Sequence, residues 1–130
     1  MTAAIRQGLR ERLNALPNQP PTAYENVDFT PVQGTLWMSE FFLPAATDPL
    51  TLAPGNSQQH DGVYQVSVYA PLEQGTGEAE AIAAAIVAHF ARGTVCGPAR
   101  VMSSYVNGAL TSDGWYQIPV TINYRAYIDG

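Results

Sequence analysis

The chain contains no lysine: its six basic residues are all arginine, at positions 6, 10, 12, 92, 100 and 125, a bias for which we have no physical account. Cys96 is the sole cysteine, so no disulfide can form within the chain, and folding in a reducing, intracellular setting is the natural expectation. Charge of either sign is scarce. Only 13% of the 130 residues are charged against 46% hydrophobic, which excludes a disordered chain and leaves a charge-poor surface of the kind that meets partners. The net charge of −5 opposes a domain that grips nucleic-acid phosphates, because such binding needs clustered cations that release counterions. Arg6 and Arg10 do share a helical face, but with Glu11 beside them that face reads as solvated. Long apolar runs are absent too. Arg6, Arg10, Glu11 and Arg12 interrupt the N-terminal segment, and the most apolar helix, 77–92, is only about 24 Å long at 1.5 Å per residue and is bounded by charges. Neither a signal peptide nor a membrane-spanning segment is expected.

What is present is a chain of single-domain size, 1–130, which should bury roughly two thirds of its unfolded surface around one core. Its most informative stretch is 62–93. Tyr64, Val66, Val68 and Ala70 alternate with Val63, Gln65, Ser67 and Tyr69, the period of a strand that Pro71 stops. Gly75 and Gly77 supply a turn, Glu78 and Glu80 suit the positive end of a helix, and His89 and Arg92 suit the other, with Gly93 as C-terminal cap. Within that helix Ala79, Ile82, Ala83, Ile86, Val87 and Phe90 make one apolar stripe.

Elsewhere, Ile5, Leu9, Leu13 and Leu16 recur on one stripe of a helix over 3–15, capped by Thr2 and ended by Pro17. Residues 22–30 carry a weak strand pattern, and 35–43 reads as a strand apolar on both faces and largely buried. Residues 44–61 read as a long loop, holding Leu50 and Leu52 as its sizeable apolar residues, and a loop of that length has a job or is disordered. A strand over 100–106 and a turn over 107–114 lead to a last strand, 115–128. Its apolar face runs Tyr116, Ile118, Val120, Ile122, Tyr124, Ala126, Ile128, and Pro119 on the polar face predicts an edge or a bulge. These elements describe an α+β domain: a mainly antiparallel sheet of four to five strands with two helices packed on one face. The pairing of the 63–70 strand with the 115–128 strand is the natural meaning of their matched alternation.

The chemistry-bearing residues do not converge in sequence. Gly75-Thr76-Gly77 precedes a helix, but it lacks the Gly-Lys-Ser/Thr ending, and Glu78 and Glu80 would repel a phosphate. His60 and His89 have no second His or Cys at a ligand spacing, so no metal is expected. Cys96 beside Gly97-Pro98, with no base nearby, reads as a small buried residue, and no serine sits in a nucleophile elbow. Glu78 with Glu80, and Asp113 near Gly114, read as a helix start and a turn. Tyr64, Tyr69, Trp115, Tyr116, Tyr124 and Tyr127 lack the interleaved cations of a base-stacking sheet. No catalytic residue and no cofactor is expected. A small enzyme or ligand-binding domain built on His89, Cys96 and the tyrosines is the remote alternative.

Read in order, Tyr24-Glu25-Asn26, Phe29-Thr30-Pro31 with Gly34, Leu43-Pro44, Gly62 through Pro71, Gly75-Thr76-Gly77, His89-Phe90 with Gly93, and Trp115 through Ile122 resemble the tail terminator family of long-tailed bacteriophages. The resemblance spans nearly the whole chain and weakens over 45–59. It implies a structural virion protein without enzymatic activity, made in the host cytoplasm and placed at the head-proximal end of the tail. Such subunits form a homo-oligomeric ring, a hexamer, on the last ring of the tail tube. The ring ends tube polymerisation and offers the docking surface for the head connector, with DNA only passing through its lumen. A charge-poor surface suits ring packing and a negative balance suits a lumen through which DNA slides. The candidate interface residues are Leu50 and Leu52 in the 44–61 loop and Asn107, Leu110 and Asp113 in the 107–114 turn. The nearest alternative is a tail-tube or head-completion protein.

Overall fold

The computed structural model describes residues 2–31, 34–49, 57–72, 75–112 and 114–129. Helix α1 spans Thr2–Asn14, because Ile5, Leu9 and Leu13 recur every four residues and all three are fully buried. Short backbone bonds from Ala15 and Leu16 close the helix just ahead of Pro17. Strands β1 (Thr22–Ala23), β2 (Trp37–Pro49) and β3 (Ser57–Pro71) precede helix α2, Gly77–His89. Strands β4 (Val95–Cys96), β5 (Ala99–Val106), β6 (Leu110–Ser112) and β7 (Trp115–Asp129) complete the chain.

The sheet runs β1-β2-β3-β7-β5-β4, with β6 also paired to β7. Its spine is the antiparallel pair β3 and β7, in register from Ser57 opposite Asp129 to Pro71 opposite Trp115, as the matched alternation predicts. Tyr64, Val66, Val68 and Ala70 of β3 and Ile118, Val120, Ile122, Tyr124 and Ala126 of β7 point into one core with the stripes of both helices. Each large side chain buried there contributes about 1.5–3 kcal/mol.

The expected sheet of four to five mainly antiparallel strands with both helices on one face is corrected. The sheet has seven strands, is mixed because β1 pairs parallel to β2, and curls into a half-barrel rather than forming a flat layer that helices cover. The added strands β4 and β6 are two and three residues long, too short to carry a periodicity. Nor is 44–61 a loop over its described part. Residues 44–49 continue β2, 57–61 begin β3, and the two pair at Thr47 with His60, Asp48 with Gln59 and Pro49 with Gln58, past an irregularity after Pro44. Backbone pairing to β2 and β7 holds these polar residues extended where their own propensity is weak.

Four smaller expectations change. The 22–30 strand survives only as β1, since Asn26 takes a left-handed φ of 63° and Val27 closes a turn on the Tyr24 carbonyl. Strand β2 is not buried on both faces: Met38, Glu40 and Phe42 point inward, whereas Phe41 and Leu43 are 48% and 43% exposed. Helix α2 ends at His89 with Phe90 as its cap residue. Arg12 of α1 donates to the His89 carbonyl at 2.8 and 3.0 Å, doing the work assigned to Gly93, which instead turns the chain toward β5 by donating to the Val101 carbonyl. Pro119 lies in the middle of the sheet rather than at its edge. Its carbonyl accepts from the Asn107 N–H at 2.8 Å, so its nitrogen faces the same side, into the gap between Val106, where β5 ends, and Leu110, where β6 begins. No donor is needed there.

A candidate assembly surface on the outer sheet

The strand residues that do not enter the core line up on the opposite face of the sheet. One row runs Phe41, Gln65, Thr121, Tyr105 across β2, β3, β7 and β5, and the next runs Leu43, Val63, Asn123, Ser103. The middle of this face is polar without charge and satisfies itself: Gln117 Nε2 donates to Ser67 Oγ at 3.0 Å and Asn123 Nδ2 to Ser103 Oγ at 2.9 Å. Its margins are apolar and open, with Phe41 and Leu43 on β2, Tyr105 on β5 and Leu110 on β6 all exposed. An exposed cluster of that kind marks a contact surface. At one end, Trp37 stacks on Tyr69 at 3.9 Å between ring centroids and meets Phe29 at 5.4 Å, while Trp115 presents its edge.

Of the expected interface residues, Leu110 sits on this face, exposed and opposite Gln117. Asn107 also reaches it: its side chain donates to Thr121 Oγ1 of the outer row at 2.6 Å, while its backbone N–H donates to the Pro119 carbonyl and fills the gap beside the proline. Leu50, Leu52 and Asp113 lie outside the described residues. Sequence reasoning missed Phe41 and Leu43. The readable signal was the apolar run Phe41-Phe42-Leu43, because a strand with two apolar faces exposes whichever face does not enter the core.

The reading of Arg6 and Arg10 as a solvated face is overturned. Arg10 bonds to the carboxylate of Glu40, whose side chain is fully buried, and its guanidinium lies 5.2 Å from the Tyr24 ring centroid. Arg6 lies 3.7 Å from Glu25 and 5.0 Å from the Phe42 ring centroid. The second Glu40 oxygen accepts from the hydroxyl of Tyr64, and the Glu25 N–H donates to the first at 3.3 Å. Glu25 in turn accepts from the Phe42 N–H at 3.0 Å, which shields the outer edge of β2. One buried carboxylate thus ties α1, the 24–27 turn, β2 and β3 together. Burial, followed by the Glu40 charge and its hydrogen bond, pushes the Tyr64 phenol far up, and the bond to Glu40 raises Arg10. This network holds a helix in place.

The residues weighed for catalysis stay apart. The His89 ring contacts the Arg12 carbonyl, and Cys96 is buried beside Gly8, where burial pushes its thiol upward against a weaker pull from Arg12. Open grooves lie beside Leu36 and Ala79, beside Arg100 and Tyr127, and beside Arg6 and Arg10, and His60, His89 and Cys96 line none of these. Among the described residues no group of three metal-ligating side chains is present, and no helix is long and apolar enough to cross a membrane.

A seven-stranded curled sheet with two helices and an apolar-margined outer face is the architecture on which the comparisons bear. The model of the family described as phage tail terminator protein matches residues 4–124. The chain belongs to that family, and is therefore a structural protein of the phage tail and a component of the virion. It is also similar to a solved structure at 28% identity and a TM-score of 0.70, over 96% of this chain and 92% of that one. No curated protein matches the sequence.

Proposed function

We propose that the chain caps the phage tail tube: copies of it close into a ring, a hexamer, that ends tube polymerisation and presents the docking surface for the head connector. The carrying observation is the family match over 4–124. The outer sheet supports it, because exposed apolar margins flanking an uncharged, self-satisfied polar strip suit side-by-side packing of like subunits. The protein acts by contact and not by catalysis, and DNA passes through the lumen without being gripped, which the net charge of −5 favours. Leu50, Leu52, Asn107, Leu110 and Asp113 are the contacts proposed toward the neighbouring subunit or the tube. Electron microscopy of the purified chain tests this reading against a tube protein. Discrete single rings support a terminator, whereas long stacks identify a tube subunit.

A further inference from the structure

The two ends of the sheet carry exposed side chains of opposite charge. At the β4 end an open groove of about 480 Å³ is lined by Val95, Pro98, Met102, Tyr127 and Arg100 together with Arg125. Val95 and Tyr127 are 61% and 57% exposed, so apolar surface stands uncovered there. Arg6, Arg10 and Arg125 each meet a carboxylate and Arg12 binds the His89 carbonyl, which leaves Arg92 and Arg100 without a partner among the described residues. Both are exposed, Arg100 on β5 within the groove and Arg92 in the turn that leads to β4.

The other end carries the matching knob. The 24–27 turn is fixed against the outer edge of β2 through Glu25, which bonds to Phe42 and Glu40. Its tip projects beyond that edge: Val27 is 59% exposed, and Asp28 beside it is exposed with no ion pair among the described residues. This edge is closed to strand addition, since Pro21 takes the Met38 N–H, Glu25 takes the Phe42 N–H and Pro44 has none. A partner here must dock by side chains.

We propose that the Val27-Asp28 knob of one copy seats in the β4–β5 groove of the next, with Val27 against Val95 and Tyr127 and Asp28 on Arg100. The occupant is a second copy of this chain, because the groove supplies an apolar wall and a free guanidinium and the far end of the same sheet supplies an exposed apolar side chain next to a free carboxylate. Knob and groove are different surfaces, so the contact is head-to-tail and propagates until rotation closes a ring. This inference rests on the self-assembly reading above and specifies its contact.

Charge exchange tests it. Sedimentation of the full chain over a concentration series gives the concentration of half-assembly, with thermal melting as the check that each variant folds; all the substituted side chains are exposed. Arg100→Glu and Val27→Asp should each raise that concentration at least about tenfold, since a like charge or a buried charge then faces the partner. Adding Asp28→Arg to Arg100→Glu should bring it back to within about threefold of wild type. Folded single variants that assemble as well as wild type, or a double variant that fails to recover, overturn this contact while leaving self-assembly intact. A wild-type chain that stays monomeric overturns the self-assembly reading and this contact with it.

Discussion

Glu40→Ala removes the carboxylate on which the α1 side of the molecule converges, and the structure sets the size of the effect. Tyr64 is fully buried and loses its acceptor, an orphaned hydroxyl that costs about 1–3 kcal/mol. The Arg10 side chain is 31% exposed and can rehydrate, so its lost pairing adds only about 0–1 kcal/mol. The void left by the side chain adds cost and relief from burying a carboxylate subtracts some, so the total is about 2–4 kcal/mol. Urea unfolding followed by the fluorescence of Trp37 and Trp115 at fixed protein concentration reads this as a midpoint lower by roughly 1–2 M, for a slope of about 2 kcal/mol per M. Arg10→Ala should cost at least as much, because it strands the buried carboxylate, and the double variant should cost less than the two singles summed. A Glu40→Ala loss below about 1 kcal/mol, with additive singles, would refute the claim that this network anchors the helix.

Two further outcomes follow from packing and titration. Gly8→Ala should destabilise the fold by about 1–3 kcal/mol in the same urea assay: the new Cβ would sit 2.4 Å from the Cys96 carbonyl oxygen, and that clash outweighs the gain of about 0.5–1 kcal/mol from helix propensity. Burial holds the phenols of Tyr64 and Tyr124 above their ordinary value, Tyr124 at about 12. The unfolded chain therefore releases protons first, so stability is full below about pH 10 and falls as pH rises from there through about 12. Urea midpoints taken at rising pH should decline over that window, and the decline should shrink in Tyr124→Phe; a flat profile contradicts the burial of these phenols.

The elements that were legible are those whose buried face is written in their own periodicity. The alternation of Tyr64, Val66, Val68 and Ala70, the one-sided β7 and the stripe Ile5, Leu9, Leu13 each state their buried face directly, and each is buried as read. What was illegible depends on distant partners. Gln58, Gln59 and Asp61 look like loop residues until β2 and β7 flank them. Arg10 looks solvated until Glu40, thirty residues away, lies beneath it. Pro119 looks like an edge residue until a break between two short neighbours falls opposite its nitrogen. Of the assembly surface, Leu110 was visible as an apolar residue in a turn. The exposure of Phe41, Leu43 and Tyr105 emerged only once the sheet showed which of its faces the core had taken.

The central claim is that this tail protein stops tube growth, and tube length measures it most directly. Polymerising tube protein is mixed with increasing amounts of the purified chain and imaged by electron microscopy. The account predicts tubes that shorten as the chain is added, each ending in one extra ring at one end only. Tubes of unchanged length, or the chain incorporated along their whole length, would contradict it.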